Sequence, residues 1–131
     1  MAYGESKSEE IERIATIIVD AIYAVYEQLG PGLLESVYEM CLEYELRKRG
    51  MIVERQLLVP ILYDGKKLDA NFRIDLLVNG LVVIELKAVE KLIPLFDAQV
   101  LTYLKLSEKR LGILVNFNAK YLKDQIKRIV N

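Results

Sequence analysis

The 131-residue sequence contains no histidine and a single cysteine. The absence of histidine excludes the usual zinc clusters, Ser-His and Cys-His catalysis, and the histidine nucleases. The lone cysteine, Cys41, excludes an intrachain disulfide, and its place in a helical pattern indicates a small core residue. Any catalysis by this chain must therefore use carboxylates, lysine, tyrosine or a hard metal ion.

Other absences narrow the class of protein. No apolar stretch approaches the length needed to span a bilayer, and the polar residues 1–10 lack the layout of a signal peptide. We therefore expect a cytoplasmic protein with no membrane partner. The composition, 53% hydrophobic and 28% charged, is typical of a soluble globular protein, and the length predicts one domain over residues 1–131. A net charge of −1 neither requires nor excludes nucleic acid.

The apolar periodicity predicts a helix that starts near residue 8, a second helix, three strands, a helix, a strand and a closing amphipathic helix. Their expected bounds are 8–29, 33–48, 53–63, 68–78, 81–88, 94–106, 111–117 and 121–130. Pro60 indicates an edge strand or a bulge in the first strand. The order predicts an α/β or α+β domain with a mixed sheet flanked by helices.

Two charged residues interrupt the most apolar strand, at positions 81–88. Glu85 and Lys87 are two residues apart, so their side chains share one face of that strand. Burying them unpaired would be costly. They either form a structural ion pair, or Glu85 binds magnesium or manganese together with Asp75 and the Leu86 carbonyl. In the second case Lys87 orients or deprotonates the attacking water, or offsets charge in the transition state.

Asp75 lies in the preceding strand, residues 72–78. The alternation there predicts that Arg73, Asp75 and Leu77 share one face and that the other face is apolar, formed by Phe72, Ile74, Leu76 and Val78. Pairing of Asp75 with Arg73 or a lysine on an exposed face is the alternative to a metal ligand.

The turn between these strands decides whether the two carboxylates meet. A two-residue Asn79-Gly80 turn would pair Asp75 with Ile84 and send Asp75 and Glu85 to opposite faces. A metal site needs a loop with an odd number of residues, such as Asn79-Gly80-Leu81, or a bulge. Local turn propensity and the proposed chemistry disagree, and we favour the chemistry.

Three residues on helices complete the candidate site. Glu35 lies one turn into the second helix on an apolar stripe, although with Gly32 as N-cap it also suits the helix dipole. Gln99 and Tyr103 are four residues apart on the third helix. Gln99 would bond a metal-bound water or a phosphate, and Tyr103 would contact substrate. Ordinary helix packing is the alternative for this pair.

This ordered set resembles the PD-(D/E)XK nuclease superfamily. The resemblance rests on Glu35, Asp75, Glu85-Leu86-Lys87 and Gln99-x-x-x-Tyr103. More closely, Gly32-Leu-Leu-Glu35-Ser-Val-Tyr38 is similar to the motif of the small GxxExxY proteins of that superfamily. The similarity covers nearly the whole chain after its first residues. The proline that often precedes the aspartate is absent, and Ile74 occupies its position.

The resemblance implies a restriction-endonuclease-like core, with a mixed sheet of about four strands and an extra N-terminal helix. It also implies a Mg²⁺ (or Mn²⁺) ion held by Asp75, Glu85 and the Leu86 carbonyl, with Glu35 binding directly or through water. Lys87 would be the catalytic lysine, and Gln99 an accessory catalytic residue. The residues expected to contact substrate are Tyr103, Arg73 and Tyr38.

The leading hypothesis is therefore a magnesium-dependent nuclease, with DNA as the expected substrate. Basic groups at 47–49, 66–67, 109–110, 120 and 123 are candidates for backbone contacts, although each also suits a solvated helix end or turn. The alternative is a catalytically silent nuclease-fold module that binds protein or nucleic acid. A third option is a structural α/β domain whose charges pair internally. The small size suits a homodimer or a partner that supplies further contacts.

Overall fold

A computed structural model of the chain describes residues 4–131. The first three residues of the predicted domain and of the polar N-terminal stretch lie outside the described residues. The elements are α1 (Lys7–Leu29), α2 (Glu35–Lys48), β1 (Val53–Tyr63), β2 (Lys66–Val78), β3 (Val82–Lys87), α3 (Pro94–Ser107), β4 (Leu111–Asn116) and β5 (Ile126–Val130).

The five strands form one sheet in the order β1-β2-β3-β4-β5. Strands β3 and β4 are parallel and every other neighbouring pair is antiparallel. Parallel neighbours need a crossover connection, and α3 provides it. The sheet has one strand more than the four or so expected, and the mixed α/β class with flanking helices is confirmed. Within residues 4–131, no helix has the length and apolar character that a membrane crossing requires.

Two apolar layers cover the sheet. Helices α1 and α2 pack on one face, where the fully buried side chains include Ile18, Leu42 and Ile84. Helix α3 packs on the other face through Val100 and Leu104. Strands β3 and β4 are buried on both faces, which explains why their sequences are almost continuously apolar.

Helix α1 confirms the predicted element at 8–29. Ser6 caps its start by accepting a hydrogen bond from the Glu9 amide at 3.1 Å. Gly30, with φ +70°, lies at its end, where a residue with a Cβ atom would be strained. The stripe of isoleucine and alanine side chains along α1 is buried against the sheet, as the periodicity predicts.

Helix α2 begins later than predicted, at Glu35 rather than near residue 33. Its N-cap position is Leu34 and not Gly32, so Glu35 occupies the first helical position instead of the third. Gly32 has φ +101° and lies in the connection between the helices. Glu35 still stands in the first turn, where the helix dipole favours a carboxylate.

The predicted closing helix at 121–130 is wrong. The chain instead forms β5, which pairs antiparallel with β4. Ile126 packs on the α1–α2 side of the sheet and Ile129 on the α3 side, the alternation of a strand. Without β5, the outer edge of the buried strand β4 would carry unpaired backbone groups. That tertiary demand outweighs a local spacing that also fits a helix.

The predicted apolar face of β2 is also wrong in part. Leu76 and Val78 pack on the α1–α2 side, whereas Phe72 and Ile74 pack on the α3 side. The alternation breaks at Asp75. The pairing of β1 with β2 also skips Asp75. Between Pro60 and Leu62 the register of the same two strands shifts, which agrees with the irregularity predicted from Pro60.

Gly112 provides a test of how closely α3 packs on the sheet. A Cβ at this position would lie 2.7 Å from Val100 Cγ1. We expect Gly112→Ala to lower the free energy of unfolding by about 1–3 kcal/mol, because the packed core must shift to admit the methyl group. Denaturant unfolding measures the change.

The matched variants are Val100→Ala, the double variant and Gly4→Ala. The double variant should be more stable than the sum of the two single effects, since the smaller Val100 side chain removes the clash. Gly4→Ala should match the wild type, because nothing lies within 4 Å of the added Cβ. Simple additivity of the first two substitutions would contradict the packing argument.

Candidate active site

The connection between β2 and β3 places two carboxylates opposite each other. Val78 pairs with Val82, which leaves the three residues Asn79-Gly80-Leu81 in the loop and confirms the odd-numbered loop. Asn79 has φ +52° and holds the loop by exchanging hydrogen bonds with the backbone of Ile52. Leu76 pairs with Ile84, so the next position of that register sets Asp75 opposite Glu85.

At this position, hydrogen bonds between acidic side chains and backbone amides join β2 and β3 in place of backbone–backbone hydrogen bonds. The Leu86 amide donates to Asp75 Oδ2 at 2.9 Å, and the Asp75 amide lies 3.4 Å from Glu85 Oε1. Each acidic side chain therefore bridges to the backbone of the opposite strand. Because the N–H and C=O of one residue point to the same edge of a strand, the Leu86 carbonyl also faces β2.

Burial makes this carboxylate pair hard to ionise. Burial and then the charge of Asp75 raise the pKa of Glu85 from its ordinary 4.5 to about 9. Burial likewise raises the pKa of Asp75, against the lowering effect of the Leu86 amide hydrogen bond. Without a cation in the site, we expect the pair to hold a proton at neutral pH.

Lys87 is the positive group beside the pair. Its Nζ lies 3.9 Å from Glu85 Oε2 and 3.4 Å from Gln99 Oε1. It also lies 4.5 Å from the centre of the Phe96 ring, a cation–π contact with α3. The predicted Glu85–Lys87 contact therefore exists, but a single ammonium faces two carboxyl groups.

Helix α3 brings Gln99 and Tyr103 to the same place. Gln99 accepts a hydrogen bond from Lys87 through Oε1, and Tyr103 follows Gln99 by one turn of the same helix. The Tyr103 ring stacks on Phe72 with centroids 4.7 Å apart. Burial raises the pKa of Tyr103, and the charges of Glu85 and Asp75 raise it further, so its hydroxyl is near both carboxyl groups and stays protonated.

Helix α2 supplies acidic residues from the other side. Glu35 lines an open cavity of about 430 Å³ whose other lining residues are Ser36, Glu39, Arg55, Gln56 and Asp75. Burial and then the charge of Asp75 raise the pKa of Glu35. The side chain of Glu35 is partly exposed, and it stands at the mouth of the site.

Sequence reasoning missed a hydrogen-bond network beside Asp75, in which the exposed Arg55 and Gln56 meet the buried Glu39. Glu39, only 4% exposed, accepts hydrogen bonds from Arg55 Nε at 2.7 Å and from Gln56 Nε2 at 2.8 and 2.9 Å. Gln56 Nε2 also lies 3.4 Å from Asp75 Oδ1. One signal was available: Glu39 is four residues after Glu35 and so lies on the same face of the helix.

Tyr38 does not fit the expected substrate contact. Its side chain is completely buried and stacks on Phe117 at a centroid distance of 4.6 Å. Its hydroxyl donates to the Gly30 carbonyl at 2.6 Å and accepts from the Leu33 amide at 3.1 Å. Tyr38 therefore fixes the connection that leads into α2. Arg73, by contrast, is exposed on β2 two residues before Asp75.

The residues suit a divalent ion that needs few protein ligands. Within residues 4–131, no three histidine, cysteine or acidic side chains gather into a metal-binding cluster. Asp75 and Glu85 remain, with the Leu86 carbonyl on the adjoining strand edge. Mg²⁺ is commonly held by one or two carboxylates plus water and substrate oxygens, which matches this donor set.

The pKa of Glu85 predicts how stability depends on pH. The folded protein binds this proton more tightly than the unfolded chain, so its free energy of unfolding should fall as pH rises from about 4.5 to about 9. Glu85→Gln removes the ionisation. In a chelating buffer at pH 9, we expect this variant to exceed the wild type by about 1–3 kcal/mol, with the difference vanishing near pH 5.

The control for this prediction is denaturant unfolding of both proteins with saturating Mn²⁺ at pH 8. A cation favours the ionised pair, so the wild type should then gain stability and the variant should not. Equal pH dependence of wild type and Glu85→Gln would show that Glu85 ionises normally.

The hydroxyl of Tyr38 gives a second prediction. We expect Tyr38→Phe to lower the free energy of unfolding by about 1–3 kcal/mol, because the Gly30 carbonyl and the Leu33 amide each lose a partner. The matched control is Tyr44→Phe, at a residue 70% exposed on the same helix, which should change stability by less than about 0.5 kcal/mol. Equal effects of the two substitutions would contradict the anchoring role.

The comparisons with known proteins agree with this geometry. A family model described as the PD-(D/E)XK nuclease superfamily matches residues 12–129. Neither the search of curated proteins nor the search of solved structures found a match. Because the matched region covers nearly all of the chain and contains every residue of the candidate site, the chain belongs to the PD-(D/E)XK nuclease superfamily.

Proposed function

We propose that the protein is a divalent-metal-dependent nuclease that hydrolyses phosphodiester bonds, with DNA as its substrate. The observation that carries this proposal is the buried Glu85 facing the half-buried Asp75 with Lys87 beside them, in a chain of a nuclease superfamily. When both carboxyl groups are ionised, the one nearby ammonium leaves a negative charge uncompensated, and a divalent ion would neutralise that charge in place of the proton.

The proposed ion is Mg²⁺ or Mn²⁺, held by Asp75, Glu85 and the Leu86 carbonyl. When bound, it would supply Lewis-acid stabilisation of the phosphate and lower the pKa of a water molecule. Lys87 Nζ, 3.9 Å from Glu85, is placed to contact a phosphate oxygen and orient the attacking water as an ammonium or, as the neutral amine, to accept a proton from that water. Gln99 holds that ammonium from α3 and has an amide group left to bond the phosphate.

The substrate side of the site is formed by partly exposed residues. Tyr103 presents its hydroxyl beside the carboxyl pair, and Glu35 at the cavity mouth can act through water. The exposed cations Arg73, Lys66 and Lys67 lie on β2, the strand that carries Asp75. By contrast, Arg47 and the two residues after it pair with glutamates of α2, so that group is a weaker candidate for backbone contacts.

Four further assignments from the sequence stay predictions. They are the closer kinship with GxxExxY proteins, the single domain over residues 1–131, the homodimer and the cytoplasmic location. The first follows from the spacing of Gly32, Glu35 and Tyr38. In this chain the Tyr38 hydroxyl bonds the loop next to Gly32, which gives that spacing a structural reason.

A silent nuclease-fold module that binds protein or nucleic acid is the second candidate. It is favoured by the finding that, within the described residues, no three histidine, cysteine or acidic side chains are grouped so that they could hold a metal ion. Such a module would bind DNA or a protein without turnover, and its stability would be indifferent to Mg²⁺ and Mn²⁺.

Cleavage assays separate the two candidates. We expect the wild type to cut supercoiled or single-stranded DNA with Mg²⁺ or Mn²⁺ and to be inactive in a chelator. Lys87→Ala should reduce the cleavage rate about 100-fold or more, because the ammonium no longer assists proton transfer or offsets charge. The matched control is Lys105→Ala, an exposed lysine on α3 away from the carboxyl pair.

The control variant should cut at the wild-type rate. The substrate panel should include RNA, so that cleavage of RNA alone would correct the substrate class. Equal rates for the wild type and Lys87→Ala on every substrate would reject the nuclease proposal.

A further inference from the structure

Gln56 has an unusual backbone for its place in the sheet. It lies within β1, opposite Asp75, where the ladder of paired residues runs from Arg55–Leu76 to Leu57–Ile74 and skips the position between. Its φ is +54°, in the left-handed region that a glutamine rarely adopts. Glycine or asparagine would adopt this conformation more readily. A strained residue that persists in a sheet calls for an explanation in its side chain.

The side chain of Gln56 reaches three oxygen atoms. Its Nε2 lies 2.9 and 2.8 Å from the two carboxylate oxygens of Glu39 and 3.4 Å from Asp75 Oδ1. A carboxylate only accepts hydrogen bonds, so the amide nitrogen and not the amide oxygen must face Glu39. The left-handed backbone thus aims a donor at the point between α2 and β2.

Glu39 is itself fixed from behind. Arg55 Nε donates to its Oε1 at 2.7 Å, and Arg55 Nη1 lies 3.6 Å from Glu43. The charge of the buried Glu39 is therefore balanced by Arg55, and Gln56 adds a neutral donor. This arrangement holds the Gln56 amide in one orientation.

The same amide completes the restraint on Asp75. The Leu86 amide holds Oδ2 at 2.9 Å, and Gln56 is the donor beside Oδ1. With a donor at each oxygen, the carboxylate plane is set, and the remaining lone pairs are directed toward Glu85 and the cavity. Groups that orient a metal ligand in this way commonly change metal affinity when they are removed.

We infer that Gln56 is a positioning residue, whose carboxamide orients Asp75 for the divalent cation while Glu39 and Arg55 hold the carboxamide. The inference rests on the proposed metal site. It assigns to the strained position in β1 a role in cation binding that acts through Asp75 and needs no contact between Gln56 and the ion.

Two variants that both lack the carboxamide separate its role from that of the backbone. Gln56→Ala keeps the left-handed strain, and Gln56→Gly relieves it, so the glycine variant should melt about 3 °C or more above the alanine variant. Titration calorimetry with Mn²⁺ should nevertheless show the same loss in both, about 10- to 100-fold in Kd. Gln28→Ala, an exposed glutamine on α1, should bind Mn²⁺ like the wild type.

Two results of the titration would overturn the inference. One is a Kd for Gln56→Ala within about threefold of the wild type, below the loss expected for an orienting group. The other is a wild-type Kd in the glycine variant with a weakened Kd in the alanine variant, because affinity would then follow backbone strain.

A metal-free crystal structure of Gln56→Ala tests the same point independently of metal binding. We expect the Asp75 carboxylate to rotate away from the Leu86 amide or to occupy two conformers. An unchanged Asp75 would overturn the positioning role. If the wild type bound no Mn²⁺, the proposed metal site would be rejected. The position of Asp75 in the crystal structure of Gln56→Ala would then decide by itself whether Gln56 orients Asp75.

Discussion

The buried carboxyl group of Glu85 and the half-buried one of Asp75 face each other across the β2–β3 strand pair with a single ammonium beside them. Asp75 and Glu85 each hydrogen-bond the backbone of the opposite strand, so neither can turn toward solvent without breaking the pairing. Burial keeps a proton on the pair and raises the pKa of Glu85 to about 9. The rest of the candidate site is arranged around this negative charge, which is not balanced until a cation or a proton joins it.

Each flanking helix restrains one part of the pair. From the α3 side, Gln99 and the Phe96 ring hold Lys87 next to Glu85. From the α2 side, Glu39 contacts Asp75 through Gln56. The sheet carries the reactive groups, and the helices on its two faces limit their freedom, which is how a small fold achieves preorganised electrostatics.

The sequence predicts most of this arrangement where local physical rules are strong. The long apolar stripe of α1 and the apolar runs of β3 and β4 leave few alternatives for those segments. The requirement that Asp75 lie opposite Glu85 in a metal site correctly indicates a three-residue loop against the local preference for a tighter turn. The helix predicted at residues 121–130 is wrong because the apolar spacing there fits a helix and a strand equally. Only the open edge of β4 decides between the two structures.

The network of Glu39, Arg55 and Gln56 could not be predicted for a different reason. Gln56 faces Asp75 only once the register of β1 and β2 is known, and its positive φ follows from contacts that are distant in sequence. Tyr38 has the spacing of a functional residue, yet its hydroxyl holds the loop before α2. Sequence motifs thus identify residues that matter but do not separate chemical roles from structural ones.

The most direct test of the central claim is the number of protons released when Mn²⁺ binds at pH 7. Calorimetric titrations in buffers of different ionisation enthalpy give this number. The carboxyl pair holds a proton that a cation must displace, so the account predicts release of about one proton in the wild type and none from Glu85→Gln. Mn²⁺ binding to the wild type without proton release would contradict the claim that the carboxyl groups of Asp75 and Glu85 form the cation site.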